Sequence, residues 1–486
     1  MISSHLFEAY LECPTKCWLR AQNEPATGNL YSEWRRAQNE SYRKEWLVRR
    51  PAIVAEPARI LSPTFEADRK EATWRFAVDI RVQAGDLECR IPAAERVRSE
   101  GRGRHVQFIP YRFEFSNKLT KQHKFMVAFD AVVLSEAIGR DICLGKIIHG
   151  DGFATLNVKT SSLISEVRMR IKSCAALVAN TSPPDLVLNR HCGQCEFQGR
   201  CHKQATEKDD LSLLGGMSDK ERKKLHDKGI FTVTQLSYTF RPRRRRRHAQ
   251  HRQEKYHHSL RALAIRKDKI HAVEVQDQKL DGTPVYLDVE GLPDRDFYYL
   301  IGVRVGDGDG AIHHSFWTDD AGGEKRIWEK FLGVLAAISN PRVIHYGSYE
   351  TRFLKRSVQR HGGPREGSGA AIAIAHPINL LSLIYARIYF PTFSNGLKDI
   401  AGYLGFQWSG SPASGLEAIV WRHRWEASKD HAVRQALLDY NRQDCDALQI
   451  VANRLVDLHC AAPCSDRLRN GRAHMGSSAT SSCSRR

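Results

Sequence analysis

The chain contains 486 residues with a mass of 55.2 kDa, which is long enough for two or three domains. Hydrophobic residues make up 42% and charged residues 27%, a composition that excludes collagen-like, mucin-like and wholly disordered chains. The 74 Lys and Arg residues exceed the 55 Asp and Glu residues, so the net charge is +19. This excess predicts a polyanionic partner, either nucleic acid or an anionic membrane surface.

The beginning of the sequence has no basic segment followed by an apolar run, so we expect no signal peptide. The best candidate for a membrane span begins at Ala370, but His376, Pro377, Asn379 and Arg387 interrupt it, which indicates two buried elements instead. Twelve cysteines without an export signal favour reduced thiols or metal ligands over disulfides. These features predict a cytoplasmic protein without a membrane span, and the placement of the positive charge described below favours nucleic acid over a membrane as the partner.

Hydrophobic runs typical of strands and others typical of helices both occur along the sequence, which predicts a mixed α/β chain. Upstream, HVQFIPYRFEF (residues 105–115) and FMVAFDAVVL (residues 125–134) predict strands, and ISEVRMRIKSCAALVA predicts a helix. Downstream, TPVYLDVEG, DFYYLIGVRVG and RVIHYG predict strands, whereas EKRIWEKFLGVLAAI and RQALLDYNRQDCDALQIVANRLV predict helices. The fold class expected from these patterns is multidomain α/β.

The positive charge is concentrated in residues 190–265, where 18 Lys and Arg residues exceed 8 acids by +10. Its peak is RPRRRRRH at residues 241–248. This pattern predicts an exposed basic linker over residues 241–281, between two folded parts. Hydrophobic patterning ends near the C-terminus, and we expect residues 457–486 to be disordered.

Just before the basic peak, residues 207–240 have the pattern of a helix, a turn and a second helix. Ser218 is a candidate N-cap with Glu221 three residues later, Gly229 ends the first helix, and Thr232 can cap the second. The segment resembles helix-hairpin-helix elements, which contact phosphate through backbone amides at a glycine turn. The alternative is a solvated charged helix and linker. The resemblance implies that nucleic acid contacts Lys223, Lys224, Lys228, Gly229, Arg241, Arg243, Arg244, Arg245, Arg246 and Arg247.

Three cysteines near the middle of the chain, Cys192, Cys195 and Cys201, form a C-x2-C-x5-C array. Short loops with this spacing can direct several thiolates towards one soft metal. A tetrahedral site needs a fourth ligand, which either Cys13 or Cys17 of YLECPTKCWLR can donate. The alternative is that these cysteines are free, small hydrophobic residues.

An N-terminal Cys-Pro, an α/β core and the later C-x2-C-x5-C array resemble the iron–sulfur nucleases of the RecB type, in the PD-(D/E)xK superfamily. The resemblance implies a restriction-endonuclease-like α/β domain over residues 1–206 and a [4Fe–4S] cluster. Its ligands would be Cys13, Cys192, Cys195 and Cys201, with Cys17 competing for the first position. The same thiols would also satisfy a tetrahedral zinc ion.

That superfamily uses an aspartate at the end of a strand and a later acid-x-lysine to hold Mg²⁺ and orient water. Asp130 and Lys146 match the aspartate and the lysine, but Leu144 occupies the position of the acid. A second frame at residues 157–159, Asn-Val-Lys, also lacks an acid, and the Q-x3-Y helix of the family is missing. We therefore predict a degenerate second site that is retained for DNA binding.

The C-terminal part contains acids at three places. Asp288 and Glu290 are two residues apart on a predicted strand, so both project from one face. Glu350 begins a helix just after a strand, and Tyr440 and Asp444 are four residues apart on a helix. Such acids suit a two-metal phosphodiester site with ions ~3.5–4 Å apart, the alternative being ordinary surface acids.

This order of motifs resembles the DEDD 3′–5′ exonucleases of the ribonuclease H-like superfamily, in the subclass that ends in Y-x3-D, over residues 282–456. NGLKDIAGYLGF resembles the stretch that precedes that last motif. The resemblance implies that Tyr440 positions the attacking water and that two Mg²⁺ or Mn²⁺ ions bind Asp288, Glu290, Glu350 and Asp444. Glu350 stands where the family has an aspartate. We expect Asp439 and Asp446 to be solvated and His345 to be an ordinary histidine at a strand end.

Taken whole, residues 1–455 resemble a bacterial family that joins a RecB-type domain to a ribonuclease H-like domain. The interpretation that follows is a metal-dependent 3′–5′ exonuclease that hydrolyses DNA rather than RNA and works with a separate helicase. The alternative is a non-catalytic nucleic-acid-binding adaptor, with both sites degenerate, that recruits a helicase or a nuclease.

Overall fold

A computed structural model of the chain describes residues 1–49, 75–97, 107–241, 256–273, 281–410 and 414–461. The chain divides into two compact units. Unit 1 consists of Met1–Leu213, Leu292–Phe297 and Ser414–Lys429, and unit 2 consists of Leu214–Gly291, Tyr298–Ala413 and Asp430–Arg486.

The described elements before the basic peak are, in chain order, β1 (Ile2–Ser3), α1 (Ser4–Glu12), α2 (Pro14–Ala21), α3 (Leu30–Val48), β2 (Phe76–Ala84), β3 (Leu87–Val97), β4 (Gln107–Glu114), α4 (Lys121–Ile138), β5 (Leu144–His149), β6 (Ala154–Lys159), α5 (Ile164–Ala179), α6 (Gln198–Glu207), α7 (Asp219–His226) and α8 (Val233–Ser237).

The described elements after it are α9 (His258–Lys267), β7 (His271–Ala272), β8 (Thr283–Leu292), β9 (Phe297–Val305), β10 (Ile312–Trp317), α10 (Glu324–Ala336), β11 (Pro341–His345), α11 (Tyr349–His361), α12 (Gly369–Ala375), β12 (Ile378–Asn379), α13 (Leu380–Ile384), β13 (Ile388–Tyr389), α14 (Leu397–Tyr403), α15 (Gly415–Ser428) and α16 (His431–Ala461).

Unit 1 contains a mixed sheet in the order β1-β3-β4-β5-β6, with β2 also paired to β3. Strands β2, β3 and β4 form an antiparallel meander, and β5 returns parallel to β4 after helix α4. The mixed α/β character expected from the sequence is confirmed, including the strand that begins at Gln107 and helix α5. The restriction-endonuclease-like identity of this sheet stays a prediction.

The prediction of a strand at residues 125–134 is wrong, because this run lies inside helix α4. Every residue from Phe125 to Ser135 is buried, since the helix packs against strand β2 and helices α1 and α5. A helix that is buried on all sides has no polar stripe, so its apolar run looks like a buried strand. Asp130 therefore lies on a helix and not at the end of a strand.

Unit 2 contains a sheet in the order β10-β9-β8-β11-β12, so β8 is central. Strand β11 is parallel to β8, and β12 is parallel to β11. Side chains alternate along β8: Val285, Leu287 and Val289 pack with helices α10 and α11 on one face. Tyr286 packs with helix α16 on the other face. The strands and helices predicted from the sequence in this region are confirmed.

The apolar run from Ala370 is interrupted, as predicted, but it forms four short elements instead of two: helix α12, strand β12, helix α13 and strand β13. Across the part of the chain that the structure describes, no helix combines the length and the apolar character needed to span a bilayer.

The helical hairpin predicted around Gly229 is confirmed as α7 and α8. The Ser218 hydroxyl accepts a hydrogen bond from the backbone N–H of Glu221, and Thr232 forms a reciprocal capping box with Gln235. Gly229 has a φ of +76°, a left-handed conformation that suits glycine at the end of a helix.

Helix α15 belongs to unit 1, where it packs against α3, and His423 lies on the ring of Trp34 with 4.8 Å between ring centroids. Glu426 on this helix accepts hydrogen bonds from Arg422 (3.1 Å) and from Arg295 (3.0 Å). Burial alone would raise the pKa of Glu426. The hydrogen bond from His423 and the charges of Arg295 and Arg422 outweigh burial and bring the pKa to about 2.

We therefore predict that the charge of Glu426 stabilises the folded chain in a pH-dependent way. A folded-state pKa below the ordinary value contributes stability above pH 4.5, and this contribution is lost as the pH falls towards 2. Glu426→Gln should lower the free energy of unfolding at pH 7 by roughly 1–3 kcal/mol. Urea unfolding between pH 7 and pH 3 measures the difference in the free energy of unfolding between the wild type and Glu426→Gln. This difference should become smaller below about pH 4.5. A difference that does not depend on pH would contradict this account.

Candidate active site

The two acids on strand β8 face helix α16. Asp288 and Glu290 alternate with the buried Val289, so their carboxylates project from the same face as Tyr286. Because Tyr286 packs with Leu448 and other apolar residues of α16, that face lies against the helix. The sequence prediction that both carboxylates share one face agrees with this placement.

Helix α16 supplies the third carboxylate. The ligand atoms of Asp288, Glu290 and Asp444 all lie within 4.8 Å of one another. Over the described ranges, this is the only set of three or more His, Cys, Asp or Glu residues that meets this distance. Three carboxylates at this separation are suited to a divalent cation that prefers oxygen ligands.

Glu350 lies beside these three acids. It is the second residue of α11 and is 5% exposed, and its charge raises the pKa of both Asp288 and Glu290. Its Oε2 lies 3.7 Å from Nδ1 of His345, and neither atom has a hydrogen-bond partner among the described residues. His345 ends strand β11 as expected, but it also lies next to the acids. A buried carboxylate oxygen without a donor is suited to binding a cation.

Burial and the neighbouring acids disfavour the charged forms of Asp288, Glu290 and Asp444. Burial raises the pKa of Asp288 well above its ordinary value, and the charge of Asp444 raises it further. Burial and the neighbouring acids raise the pKa of Glu290 to about 8. The pKa of Asp444 rises to about 6, because burial outweighs the opposing charge of Lys398. A divalent cation would remove this repulsion, so the residues fit such an ion.

Asn441 holds Asp288 in place, and the sequence analysis missed it. Its Nδ2 donates to Oδ2 of Asp288 at 2.6 Å and to the backbone carbonyl of the same residue at 3.1 Å. Asn441 is fully buried, and its amide lies directly over Gly302 of strand β9, where a Cβ would overlap the amide oxygen. The only sequence signal was an asparagine next to the Y-x3-D motif, and its role depends on contacts between distant segments.

Trp408 and Lys398 were also missed. The indole N–H of Trp408 donates to Oδ1 of Asp444 at 2.7 Å. The Lys398 ammonium lies 4.4 Å from the ring centroid of Tyr440 and 5.5 Å from that of Trp408. Lys398 belongs to NGLKDIAGYLGF, the stretch that resembles the region before the Y-x3-D motif, but the resemblance implied no role for this lysine. Its positive charge opposes the repulsion among the acids.

Tyr440 contacts the acids as its spacing predicts. It is 6% exposed and hydrogen-bonds to Asp444, and burial together with the charge of Asp444 raises the pKa of its hydroxyl. The tyrosine hydroxyl therefore keeps its proton at neutral pH.

The two acids expected to be solvated differ from each other. Asp439 is exposed and accepts a hydrogen bond from Gln435 at 2.9 Å, as expected for a solvated acid. The expectation for Asp446 is wrong, because its Oδ1 lies 2.7 Å from Nη1 of Arg304 and 3.3 Å from Nε2 of His313. The partners of Asp446 come from strands β9 and β10, which short-range spacing on a helix does not reveal.

Four of the predicted cysteines line one cavity of unit 1, with about 400 Å³ of empty space including its open side. Cys13 lies at the junction of α1 and α2, and Cys192, Cys195 and Cys201 reach the cavity from the later array. Burial raises the pKa of the Cys195 and Cys201 thiols to about 11, and the neighbouring thiolates add to it. Bound metal would lower those pKa values.

Cys17, the competitor of Cys13, lies elsewhere. It is fully buried, and its Sγ is 3.7 Å from Sγ of Cys174 on helix α5. The chain breaks between α1 and α2 at Cys13 and Pro14, so the two cysteine side chains face different parts of unit 1. Cys13 caps the end of α1 and faces the cavity, whereas Cys17 faces the core.

The residues of the predicted degenerate site have separate partners. Asp130 is fully buried and binds the Arg112 guanidinium through both oxygens, at 2.6 and 2.7 Å. Lys146 donates to Glu95 at 3.1 Å and to the Tyr111 hydroxyl at 2.8 Å. Asp130 and Lys146 therefore do not pair with each other: Arg112 balances the charge of Asp130, and Glu95 balances that of Lys146.

The structure describes part of the predicted basic surface. Lys223, Lys224, Lys228 and Gly229 are exposed on the α7–α8 hairpin. Arg241 is the last described residue before the basic peak, and Arg243 to Arg247 lie outside the described residues.

Comparison with known families agrees with the site in unit 2. Residues 285–456 match the RNase_H_2 family model of the RNase H superfamily. None of the curated proteins matches the chain at a significant level. The matched range contains Asp288, Glu290, Glu350 and Asp444, so the fold and the acidic set point to a metal-binding nuclease with a nucleic-acid substrate. The C-terminal part of the chain is a ribonuclease H-like domain.

Proposed function

We propose that the protein is a metal-dependent 3′–5′ exonuclease that hydrolyses DNA in its ribonuclease H-like domain. The observation that carries this proposal is the convergence of Asp288, Glu290 and Asp444 within 4.8 Å, with the buried Glu350 beside them. The acids come from β8, α11 and α16, so the fold, and not local sequence, brings them together. The DNA preference and the polarity rest on the resemblance to DEDD exonucleases.

Each side chain has a defined task in this proposal. Asp288, Glu290, Glu350 and Asp444 would hold two Mg²⁺ or Mn²⁺ ions, which when bound activate water and stabilise the leaving oxygen. The Tyr440 hydroxyl, held by Asp444, would align the attacking water. Asn441 fixes the orientation of Asp288 through its amide. The Glu350 side chain is one methylene longer than the aspartate of the family. Glu350 is the second residue of α11, and its carboxylate is near enough to the other acids to raise the pKa of Glu290.

The direct test is degradation of 5′-labelled single- and double-stranded DNA and RNA with Mg²⁺ or Mn²⁺. The wild-type chain should produce a ladder that shortens from the 3′ end. Asp288→Asn should reduce the rate by on the order of 10²–10³, because a metal ligand is lost at the reacting centre. Asp439→Asn, which changes an exposed acid on the helix that carries Asp444, is the control and should keep full activity.

The same assay separates the alternative function. A non-catalytic adaptor would bind the labelled strands but release no nucleotides with either metal ion. Equal rates for the wild type and Asp288→Asn would show that the cleavage comes from elsewhere, and shortening from the 5′ end would contradict the proposed polarity.

A second prediction concerns the contact between β9 and α16. Gly302→Ala should displace Asn441 from Asp288, because the new Cβ overlaps the amide oxygen. We expect a loss of activity of roughly 10- to 100-fold, comparable to that of Asn441→Ala. Gly333→Ala on α10, where a Cβ meets no atom within 4 Å, is the control and should retain activity. Full activity of Gly302→Ala would remove the role assigned to Asn441.

We further propose that unit 1 is a degenerate RecB-type domain with a [4Fe–4S] cluster bound by Cys13, Cys192, Cys195 and Cys201. Their shared cavity supports a metal group. The sulfurs of a single tetrahedral zinc ion lie ~3.8 Å apart, as Zn–S bonds of ~2.3 Å require. The four thiols do not form a set within 4.8 Å, and this wider spacing favours a cluster over one ion.

The metal content tests this assignment. Protein purified without oxygen should contain about four iron atoms per chain and absorb broadly in the violet. Cys201→Ser should lower the iron content and the thermal midpoint, since the cluster would join Cys13 to the later array. Cys143→Ser, an exposed cysteine away from the cavity, should change neither. One zinc ion per chain without visible absorption would contradict the cluster.

The basic hairpin around Gly229, together with Arg241, would bind the phosphate backbone, and a separate helicase would supply single strands. The exposure of Lys223, Lys224 and Lys228 supports the first part. The helicase rests on the resemblance alone.

A further inference from the structure

Helix α9 of unit 2 contains an arginine that is buried without an acid beside it. Arg261 is 0% exposed, and its Nη1 donates a hydrogen bond to the backbone carbonyl of Thr392 at 2.8 Å. Its Nη2 donates to the side-chain oxygen of Asn395, and its guanidinium lies 5.5 Å from the ring centroid of Tyr256. Within the described ranges, the partners of this cation are therefore a carbonyl, an amide and a ring, and none is a carboxylate. Burying a cation without a counter-charge costs folding free energy, so the contacts of Arg261 are retained at a cost.

Both hydrogen-bond acceptors of Arg261 belong to residues 390–396, the segment between β13 and α14, which we call the α14 loop. Inside this loop, the Thr392 hydroxyl donates to the carbonyl of Ser394 at 2.7 Å, and the Ser394 hydroxyl accepts from the backbone N–H of Gly396 at 2.8 Å. The Ser394 hydroxyl also donates to Asp399 in the first turn of α14. The hydrogen bonds therefore run without interruption from Arg261 through the α14 loop to the start of helix α14.

The α14 loop is connected to two segments that contribute to the carboxylate site. Lys398 follows Asn395 by three residues, and its ammonium lies 4.4 Å from the ring centroid of Tyr440. On the other side, the Tyr346 hydroxyl donates to the backbone carbonyl of Asn395 at 2.5 Å. Tyr346 directly follows strand β11 and stands four residues before Glu350. Arg261 and Tyr346 thus meet at one residue, from which the chain leads to Lys398.

We propose that Arg261 is a positioning residue of the active site: its guanidinium holds the α14 loop, and the loop sets the positions of Lys398 and Glu350. An arginine suits this task because its planar fork of N–H groups can donate to two fixed acceptors at once, whereas a lysine ammonium is a compact point charge. Helix α9 precedes residues 285–456, which match the ribonuclease H-like family, so this part of the site comes from outside the matched range. The inference deepens the proposed function, and its kinetic part rests on that function.

Hydrogen exchange followed by mass spectrometry tests the positioning itself, with the full chain and without metal or substrate. Arg261→Gln should speed exchange about tenfold in peptides that cover residues 390–400 and 345–352, because the α14 loop loses its contact with α9. Peptides from helix α10 should keep the wild-type rate. Tyr346→Phe, which removes one hydroxyl, should speed exchange in residues 345–352.

Steady-state cleavage of labelled DNA then separates positioning from a purely structural role. Arg261→Gln should lower kcat roughly 10- to 100-fold and change KM by less than about twofold, since the acids and not the DNA contacts are displaced. A purely structural role would lower the thermal midpoint and leave the kcat of the folded chain unchanged. Arg261→Lys should be impaired like Arg261→Gln, because the ammonium keeps the charge but loses the fork.

Two further variants complete the comparison. Arg266→Gln is the matched control, because Arg266 lies on the same helix but contacts the Tyr238 ring, at 3.8 Å from its centroid. It should keep the wild-type kcat and exchange rates. Arg261→Gln combined with Tyr346→Phe should lose less than the product of the two single losses, because both act through the α14 loop.

The proposal is overturned if Arg261→Gln exchanges at the wild-type rate in both segments, if Arg261→Lys keeps full kcat, or if Arg266→Gln is impaired equally. If Arg261→Gln does not fold, Arg261→Lys and Tyr346→Phe decide, and wild-type exchange and kcat in both would overturn the proposal. A wild-type chain that cleaves no nucleic acid would contradict the proposed function, whereas the exchange rates would still show whether Arg261 holds the α14 loop.

Discussion

Mutual repulsion within one cluster of carboxylates is the constraint that shapes unit 2. Burial and the neighbouring carboxylates, Glu350 among them, raise the pKa of Asp288 and bring the pKa of Glu290 to about 8 and that of Asp444 to about 6. Such a group costs folding free energy unless protons or cations neutralise it. The positive charge of Lys398 opposes this repulsion at both Glu290 and Asp444. A divalent ion bound by these acids would neutralise the cluster.

The rest of the domain holds these acids in position. Central strand β8 has an apolar face towards α10 and α11, so Asp288 and Glu290 must face α16. Helix α16 approaches β9 closely enough for Asn441 to bond Asp288, which requires glycine at position 302. Trp408 holds Asp444 from a third segment. Removing any of these contacts changes the geometry of the acids without removing an acid.

Much of the site could be predicted from short-range periodicity. Alternation along a strand placed Asp288 and Glu290 together, and helical spacing placed Tyr440 with Asp444, because both patterns depend only on local geometry. Asn441, Trp408 and Gly302 could not be found in this way, because their roles depend on contacts between segments distant in sequence. The same limit explains why the expectation of a solvated Asp446 is wrong, because its partners Arg304 and His313 lie on two strands distant from it in sequence.

The errors in unit 1 have an equally physical origin. The sequence of helix α4 predicts a strand because burial on every side removes the polar stripe that marks a helix. Spacing could not decide between Cys13 and Cys17, since the break at Pro14 turns one towards the cavity and the other towards Cys174. Hydrophobic pattern thus predicts which face of an element is buried, but it does not predict what covers that face.

We propose that Asp288, Glu290, Glu350 and Asp444 together bind two divalent ions. Titration of the chain with Mn²⁺, with the free ion followed by electron paramagnetic resonance, tests this claim without reference to a substrate. We predict that the wild type binds two Mn²⁺ ions and that Asp288→Asn loses at least one of them, while Asp439→Asn binds both. Equal Mn²⁺ binding by the wild type and Asp288→Asn would contradict the account.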